Sequence, residues 1–280
     1  MEDNYRQYND DDLVAQTYLL NHSVQTLDYV LACKERHREA KLSMTLMEII
    51  DDLNNFVDSS DPDLRLPQYI HCYQTAERLR EMIVGTEYQD FDWLPLVGLI
   101  HDCGKILFRL GYSAHEIVGD TFPVGCPFSD EIIYYDYFVN NPDHQKYESV
   151  CGIYQPHVGF ENIHFSWGHD EYLASILEND KCSLSNEQSS SGQNNQKLFL
   201  PPEAIYIIRF HSFYAWHQKQ AYLYLASSHD WEMLPLLQFF QRADLYSKED
   251  TAENFVTEEM KNYYIDLLKR YHCEKSLLLI

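Results

Sequence analysis

Apolar residues recur three and four positions apart along most of the chain, the spacing of amphipathic helices that bury one face in a core. Asn9 and Asp10–Asp12 are placed to cap a helix running from about Leu13 towards Arg38. Thr45 and Glu48 have capping-box spacing at the head of an apolar-periodic stretch through Val57. Asp61-Pro62-Asp63 reads as a turn. Pro67 then opens a helix carrying His71, Thr75, Leu79 and Ile83, with Gly85 as its C-terminal cap. A fourth helix, from about Asp92 to Leu110, contains the nearly all-apolar run Leu94–Ile100 directly before His101-Asp102. Further helices are expected at about 169–179, 202–218, 229–246 and 257–271.

Two stretches interrupt this pattern. The segment before His169 is rich in aromatic residues and punctuated by Gly and Pro, including Gly119-Asp120-Thr121-Phe122-Pro123. An irregular segment of that length with so much to bury is expected to be ordered and functional. Ser183–Gln196 is polar and of low complexity, so a flexible surface insertion is expected at about 181–197. No internal repeat is visible. The expectation is one all-α catalytic domain spanning 1–280.

Composition narrows the function. With 280 residues, 45% of them hydrophobic and 14% aromatic, the chain has enough to bury a large core. Its 21 basic and 44 acidic residues leave a formal charge of −23, which repels phosphate backbones and anionic lipid. Nucleic acid and membrane are therefore not expected partners. The seven cysteines are an odd number, widely spaced and without a Cys-x-x-Cys pair. This fits a reducing compartment better than a disulfide framework or a thiolate zinc site. Met1–Asp12 is too polar for a secretory signal, and no apolar run approaches the ~20 residues of a membrane span. A cytoplasmic location is expected. Oligomeric state stays open, a monomer being compatible with everything above.

Most of the thirteen histidines need no explanation beyond packing or solvation. His101-Asp102 differs because it follows seven residues of a buried helix, and a buried carboxylate without a cation costs several kcal/mol. An ion pair with Lys105 and a metal ion, with Lys105 turned into the same cavity, both satisfy that need. The dipeptide alone is weak, since His169-Asp170 and His229-Asp230 also occur. The stronger signal is repetition. His71, His169, His211 and Asp244 also occupy core-like helical contexts in four other segments. Polar groups in that register are best explained by burying one another around metal, and nitrogen and oxygen donors suit iron, manganese or zinc. Asp102 has two oxygens, one for each of two metals.

The order His71, His101-Asp102, His169, His211, Asp244 resembles the HD-domain superfamily, whose fold would be a helical bundle enclosing a dinuclear metal site. Within it, the chain is similar to the myo-inositol oxygenase family. The resemblance rests on His71-Cys-Tyr-Gln-Thr-Ala-Glu77, Leu96–Lys105, Val118–Cys126, Ser166–Tyr172, Ile208–Tyr214 and Asp244–Lys248, and covers about residues 5 to 271. It implies one iron held by His71, His101, Asp102 and Asp244, and a second by Asp102, His169 and His211, with Asp102 bridging. Implied substrate contacts are Arg6, Asp58, Ser59, Ser60, Lys105, Gly119, Asp120, His211 and Ser212, with Lys248 near the pocket. Asp102 and Lys105 would serve catalysis. The Ser183–Gln196 insertion, a longer link between His71 and His101, and Gln241-Arg-Ala ahead of Asp244 depart from the family pattern without removing a ligand.

The resemblance further implies an Fe(II)/Fe(III) pair that uses dioxygen to cleave myo-inositol between ring carbons 1 and 6, giving D-glucuronate. Surplus positive charge on such a pair lowers the pKa of a bound hydroxyl, and the carboxylates of Asp58 and Asp120 would accept from the polyol. Two alternatives use a related ligand set. A metal-dependent phosphohydrolase would need cationic groups for phosphate, and the lining offers Lys105 and Lys248 among many Asp, Ser and Gly. A non-catalytic helical protein with a structural metal would have no use for a set of hydroxyl-binding residues.

Overall fold

The computed structural model describes residues 12–36, 42–60, 67–184, 200–246, 255–274 and 276–279. Eleven α-helices are found among them. They are α1 (Asp12–Val24), α2 (Leu27–Arg36), α3 (Leu46–Asp52), α4 (Gln68–Met82), α5 (Leu94–Ile100), α6 (Ala114–Ile117), α7 (His169–Leu184), α8 (Pro202–Phe210), α9 (Tyr214–His217), α10 (Ser228–Tyr246) and α11 (Glu258–Arg270). The fold is all-α, as expected. Two small antiparallel ribbons, not foreseen from periodicity, decorate it. One pairs β1 (Leu42–Thr45) with β4 (Ser276–Leu279), and the other pairs β2 (Pro123–Val124) with β3 (His164–Phe165).

Several expected helices are divided, each for an identifiable reason. The helix expected from Leu13 to Arg38 breaks at Gln25-Thr26. There the Gln25 amide donates to the Trp167 carbonyl and accepts from the Trp167 N–H, and the Thr26 hydroxyl accepts from Tyr29 N–H at the start of α2. The Thr45–Glu48 capping box is present, but α3 ends at Asp52 and passes into a 3₁₀ turn at Leu53–Asn55. Gly85 lies beyond the end of α4 in a left-handed turn (φ 72°), with Ile83 as the cap. The expected fourth helix stops at Ile100, turns through His101-Asp102, and resumes as the 3₁₀ segment Cys103–Leu110. The helix expected over 202–218 is broken at His211–Phe213.

α7 extends to Leu184, past the start of the expected insertion, and the remainder of that segment lies outside the described residues. So do the expected turn at Asp61–Asp63 and the capping residues Asn9–Asp11. The irregular stretch 111–168 is ordered and tightly packed, with Phe122, Phe128 and Phe138 stacked edge-on and face-on around His22.

α4 and α5 pack at the centre through very small residues. A Cβ on Gly98 would lie 2.7 Å from Leu79 Cδ1 and 2.9 Å from Ala76 Cα, so the two helices meet almost backbone to backbone. Gly104 is tighter still, since a Cβ there would sit 2.0 Å from the His169 carbonyl oxygen. These contacts fix how His71, His101 and His169 approach one another. Cys33, Cys72, Cys103, Cys126, Cys151 and Cys273 are free, and the first five are buried. No helix among the described residues is long and apolar enough to cross a membrane.

Gly104→Ala should force the 3₁₀ segment and α7 apart and cost on the order of 1–3 kcal/mol, as overpacking does elsewhere. Urea unfolding at neutral pH measures it. An unchanged midpoint would show that the contact is slack.

Candidate metal centre

Six side chains from five segments meet in one small cavity of about 40 Å³, several times the volume a single water needs. His71 comes from the first turn of α4, and Asp244 from the last turn of α10. His101 caps the C-terminus of α5, and Asp102 follows it in the turn. His169 begins α7, and His211 caps the C-terminus of α8. All six are 5% exposed or less.

The rings are aimed by backbone. His101 Nδ1 lies 2.8 Å from the Gly98 carbonyl, and His211 Nδ1 2.9 Å from the Ile208 carbonyl, three residues back in each case. His169 Nδ1 lies 2.8 Å from the carbonyl of Ile117. A carbonyl only accepts, so each Nδ1 carries the proton and each Nε2 in the neutral ring presents a lone pair to the cavity. This is how metal-binding histidines are commonly oriented.

Those lone pairs converge on carboxylate oxygens. Asp102 Oδ2 lies 3.3 Å from His101 Nε2 and 3.6 Å from His71 Nε2. Its other oxygen, Oδ1, lies 3.2 Å from His169 Nε2 and 3.7 Å from His211 Nε2. The carboxylate therefore faces one histidine pair with each oxygen. Asp244 Oδ1 completes the first side, 2.9 Å from His71 Nε2 and 3.3 Å from His101 Nε2. Acceptors facing acceptors in a dry interior repel unless something positive lies between them. Three overlapping groups here have donor atoms close enough to share an ion: His71–His101–Asp244, His101–Asp102–His211 and His169–Asp170–His211. No thiolate takes part in them.

Electrostatics report the same demand for cations. Burial alone would lower the pKa of His101, yet Asp102 and Asp244 override it and lift the ring to about 10. His169 is likewise lifted against burial, to about 9, by Asp170 and Asp102. Burial pushes Asp102 and Asp244 towards the neutral acid, but the facing imidazoles, and Lys105 for Asp102, hold both well below the usual carboxylate range. Apart from the Lys105 ammonium, ring protons are the positive charge the side chains themselves can supply here.

Lys105 settles one alternative left open by the sequence: it pairs with Asp102 and also turns into the cavity. Its Nζ donates to Asp102 Oδ2 at 3.0 Å, to Asp58 Oδ2 at 2.8 Å and to Gln68 Oε1 at 3.2 Å. Burial disfavours the ammonium, and the two carboxylates more than restore it, raising its pKa above the ordinary lysine value.

Asp58, Ser60, Gly119 and Ser212 line the same cavity. Asp58 Oδ1 accepts from both the backbone N–H and the hydroxyl of Ser60. Ser59 and Asp120 are not among the lining residues: the Ser59 hydroxyl contacts Thr17, and Asp120 Oδ1 accepts from the Tyr18 hydroxyl. Arg6 and Lys248 lie outside the described residues. Three contributors escaped the sequence reading. Gln68 and Tyr214 line the cavity, and no local pattern marked them. Asp170 carried a signal, its place directly after His169, but the frequency of His-Asp pairs hid it.

The family model described as "Myo-inositol oxygenase" matches residues 11–191 and 192–278. The inositol oxygenase of Rattus norvegicus is 42% identical over 267 residues, covering 93% of this chain and 85% of that protein. The inositol oxygenase of Dictyostelium discoideum is 39% identical over 275 residues, covering 95% and 87% respectively. That of Homo sapiens is 39% identical over 267 residues, covering 93% and 85%. With a matching family model over nearly its whole length and a buried nitrogen and oxygen cage that fits metal, this chain belongs to the myo-inositol oxygenase family.

Proposed function

We propose that the chain is an inositol oxygenase that cleaves myo-inositol with dioxygen to give D-glucuronate and water, using two iron ions, Fe(II) and Fe(III). The observation that carries this reading is the placement of Asp102, one oxygen towards His71 and His101 and the other towards His169 and His211. That is the disposition of a bridging carboxylate. His71, His101, Asp102 and Asp244 would hold one ion, and Asp102, His169 and His211 the other. The bound iron pair would supply Lewis acidity and one-electron oxygen chemistry, neither of which the side chains possess.

What the chain itself contributes is placement and charge. The Lys105 ammonium, three bonds deep in acceptors, stands beside the Asp102 oxygen and can stabilise negative charge on a neighbouring substrate oxygen. Asp58, held by Ser60, offers an acceptor for a polyol hydroxyl, and Ser60 and Ser212 offer hydroxyls. A ring bearing a hydroxyl on every carbon suits such a lining, and a wrongly placed hydroxyl leaves a buried group unpaired. The phosphohydrolase alternative is disfavoured by the cavity, which among the described residues has no arginine and only one lysine, Lys105, itself already paired with Asp58 and Asp102. Arg6, Ser59, Asp120 and Lys248 remain part of the proposed substrate-binding set through family resemblance. The single catalytic domain over 1–280 is also part of this reading, with a monomer in the cytoplasm compatible with it.

Protein reconstituted anaerobically with Fe(II) and partly oxidised should consume dioxygen on addition of myo-inositol and release D-glucuronate. Stable iron loading with no oxygen uptake, or phosphate release from phosphate esters instead, would sink the assignment. Asp102→Ala should lose both ions, read as iron per chain, because it removes the shared ligand. Full iron in that variant would refute the bridge. Lys105→Ala should keep its metal while turnover falls by about 10²-fold or more, on the scale of other lost electrostatic contacts.

A further inference from the structure

The Lys105 ammonium carries three hydrogens, and each already has an acceptor: Asp58 Oδ2 at 2.8 Å, Asp102 Oδ2 at 3.0 Å and Gln68 Oε1 at 3.2 Å. A substrate oxygen that meets this ammonium must therefore take the place of one of the three. The two carboxylates are charged acceptors and hold roughly twice as strongly as a neutral one. Gln68 is neutral and makes the longest contact of the set. It is the partner that yields.

Gln68 is itself held in place. It opens α4 directly after Pro67 and is 1% exposed, and its N–H donates at 3.0 Å to the carbonyl of Phe56, two residues before Asp58. It lines the cavity three residues ahead of His71, on the same face of the helix. A lysine ammonium only donates, so the amide atom facing it is the oxygen. Displaced from Nζ, that oxygen becomes a buried acceptor without a donor, a loss of about ten-fold or more in affinity unless the newcomer replaces the hydrogen. A hydroxyl replaces it. Its lone pair accepts from Nζ while its own hydrogen goes to Oε1. An ether, a carbonyl or a fluorine can accept from Nζ but leaves Oε1 stranded.

We propose that Lys105 and Gln68 act together as a hydroxyl-reading pair, and that Gln68 distinguishes an alcohol from an acceptor-only group at one carbon of the ring. Until substrate arrives the two side chains satisfy each other. A ring hydroxyl then inserts between them, admitted by rotation of the long lysine chain, while Asp58 and Asp102 keep the ammonium in the cavity. The inference rests on the inositol reading. It adds a specificity residue outside the substrate contacts that the family resemblance implies.

The test is calorimetry on the iron-loaded protein without dioxygen, so that affinity is read and not turnover. The probes are myo-inositol and its deoxyfluoro analogues, in which fluorine replaces one hydroxyl at a time. Gln68→Met keeps the length of the side chain and removes the acceptor. In that variant the affinity penalty for fluorine should shrink at least five-fold at one ring position, with the other positions and the iron per chain unchanged. The wild-type penalty at every position would overturn the pair. If the variant does not fold, a crystal structure of the wild type with myo-inositol decides. One ring oxygen within hydrogen-bond distance of both Nζ and Oε1 is expected, and no ring oxygen within reach of Oε1 would overturn the pair. A wild type that binds no myo-inositol would count against the inositol reading itself.

Discussion

The structure depends on the burial of one carboxylate. Asp102 is 2% exposed just past the end of α5, whose seven residues are all apolar and buried, and its two oxygens lie within 3.7 Å of four imidazole nitrogens and one ammonium. A charge that deep costs several kcal/mol unless its surroundings repay it. Groups able to repay it must come from elsewhere in the sequence, because one helix turn cannot surround a carboxylate on all sides. This need draws α4, α7, α8 and α10 onto the end of α5. Small residues let them arrive, with Gly98 against Ala76 and Gly104 against the His169 carbonyl.

The interruptions of the helices belong to the same constraint. His101 and His211 are both C-terminal caps, and each returns its Nδ1 proton to the carbonyl three residues back. Carbonyls of a last helical turn have no partner within the helix. One hydrogen bond therefore satisfies an orphan carbonyl, fixes the ring tautomer and aims Nε2 at the cavity. A histidine within an uninterrupted helix could not do all three, since its neighbouring carbonyls are already bonded. Ending α5 at Ile100 and α8 at Phe210 is how these sequences become a site as well as a core.

This explains which features the sequence disclosed. Helical periodicity, the Thr45–Glu48 box and the apolar run before His101 were legible because they are local. The six clustered His and Asp residues were legible because each contradicts its apolar surroundings, and the contradictions resolve only together. The breaks at Gln25-Thr26, Asp102 and Ser212 were not legible, because they are set by partners up to 142 residues away, such as the Gln25 amide on Trp167. Gln68 escaped for the same reason: its role exists only through Lys105, 37 residues distant. The β1–β4 ribbon joins residues more than 200 positions apart and leaves no periodic trace in four-residue strands.

A second buried charge network holds the far side of the cage. Glu171, one residue beyond Asp170, is 7% exposed and takes Lys34 from α2 at 2.7 Å and Arg209 from α8 at 2.9 Å. Arg209 also reaches Glu178, one and a half to two turns along α7, at 2.7 Å. Arg209 is two residues before His211, and Glu171 two after His169, so this bridge fixes the two helices directly behind their imidazoles. Its cations also hold the Glu171 carboxylate below its usual range despite burial, so it stays charged. Breaking such a pair is expensive because the remaining charge is stranded. The separation of His169 from His211 is thus set by charges that never touch the cavity.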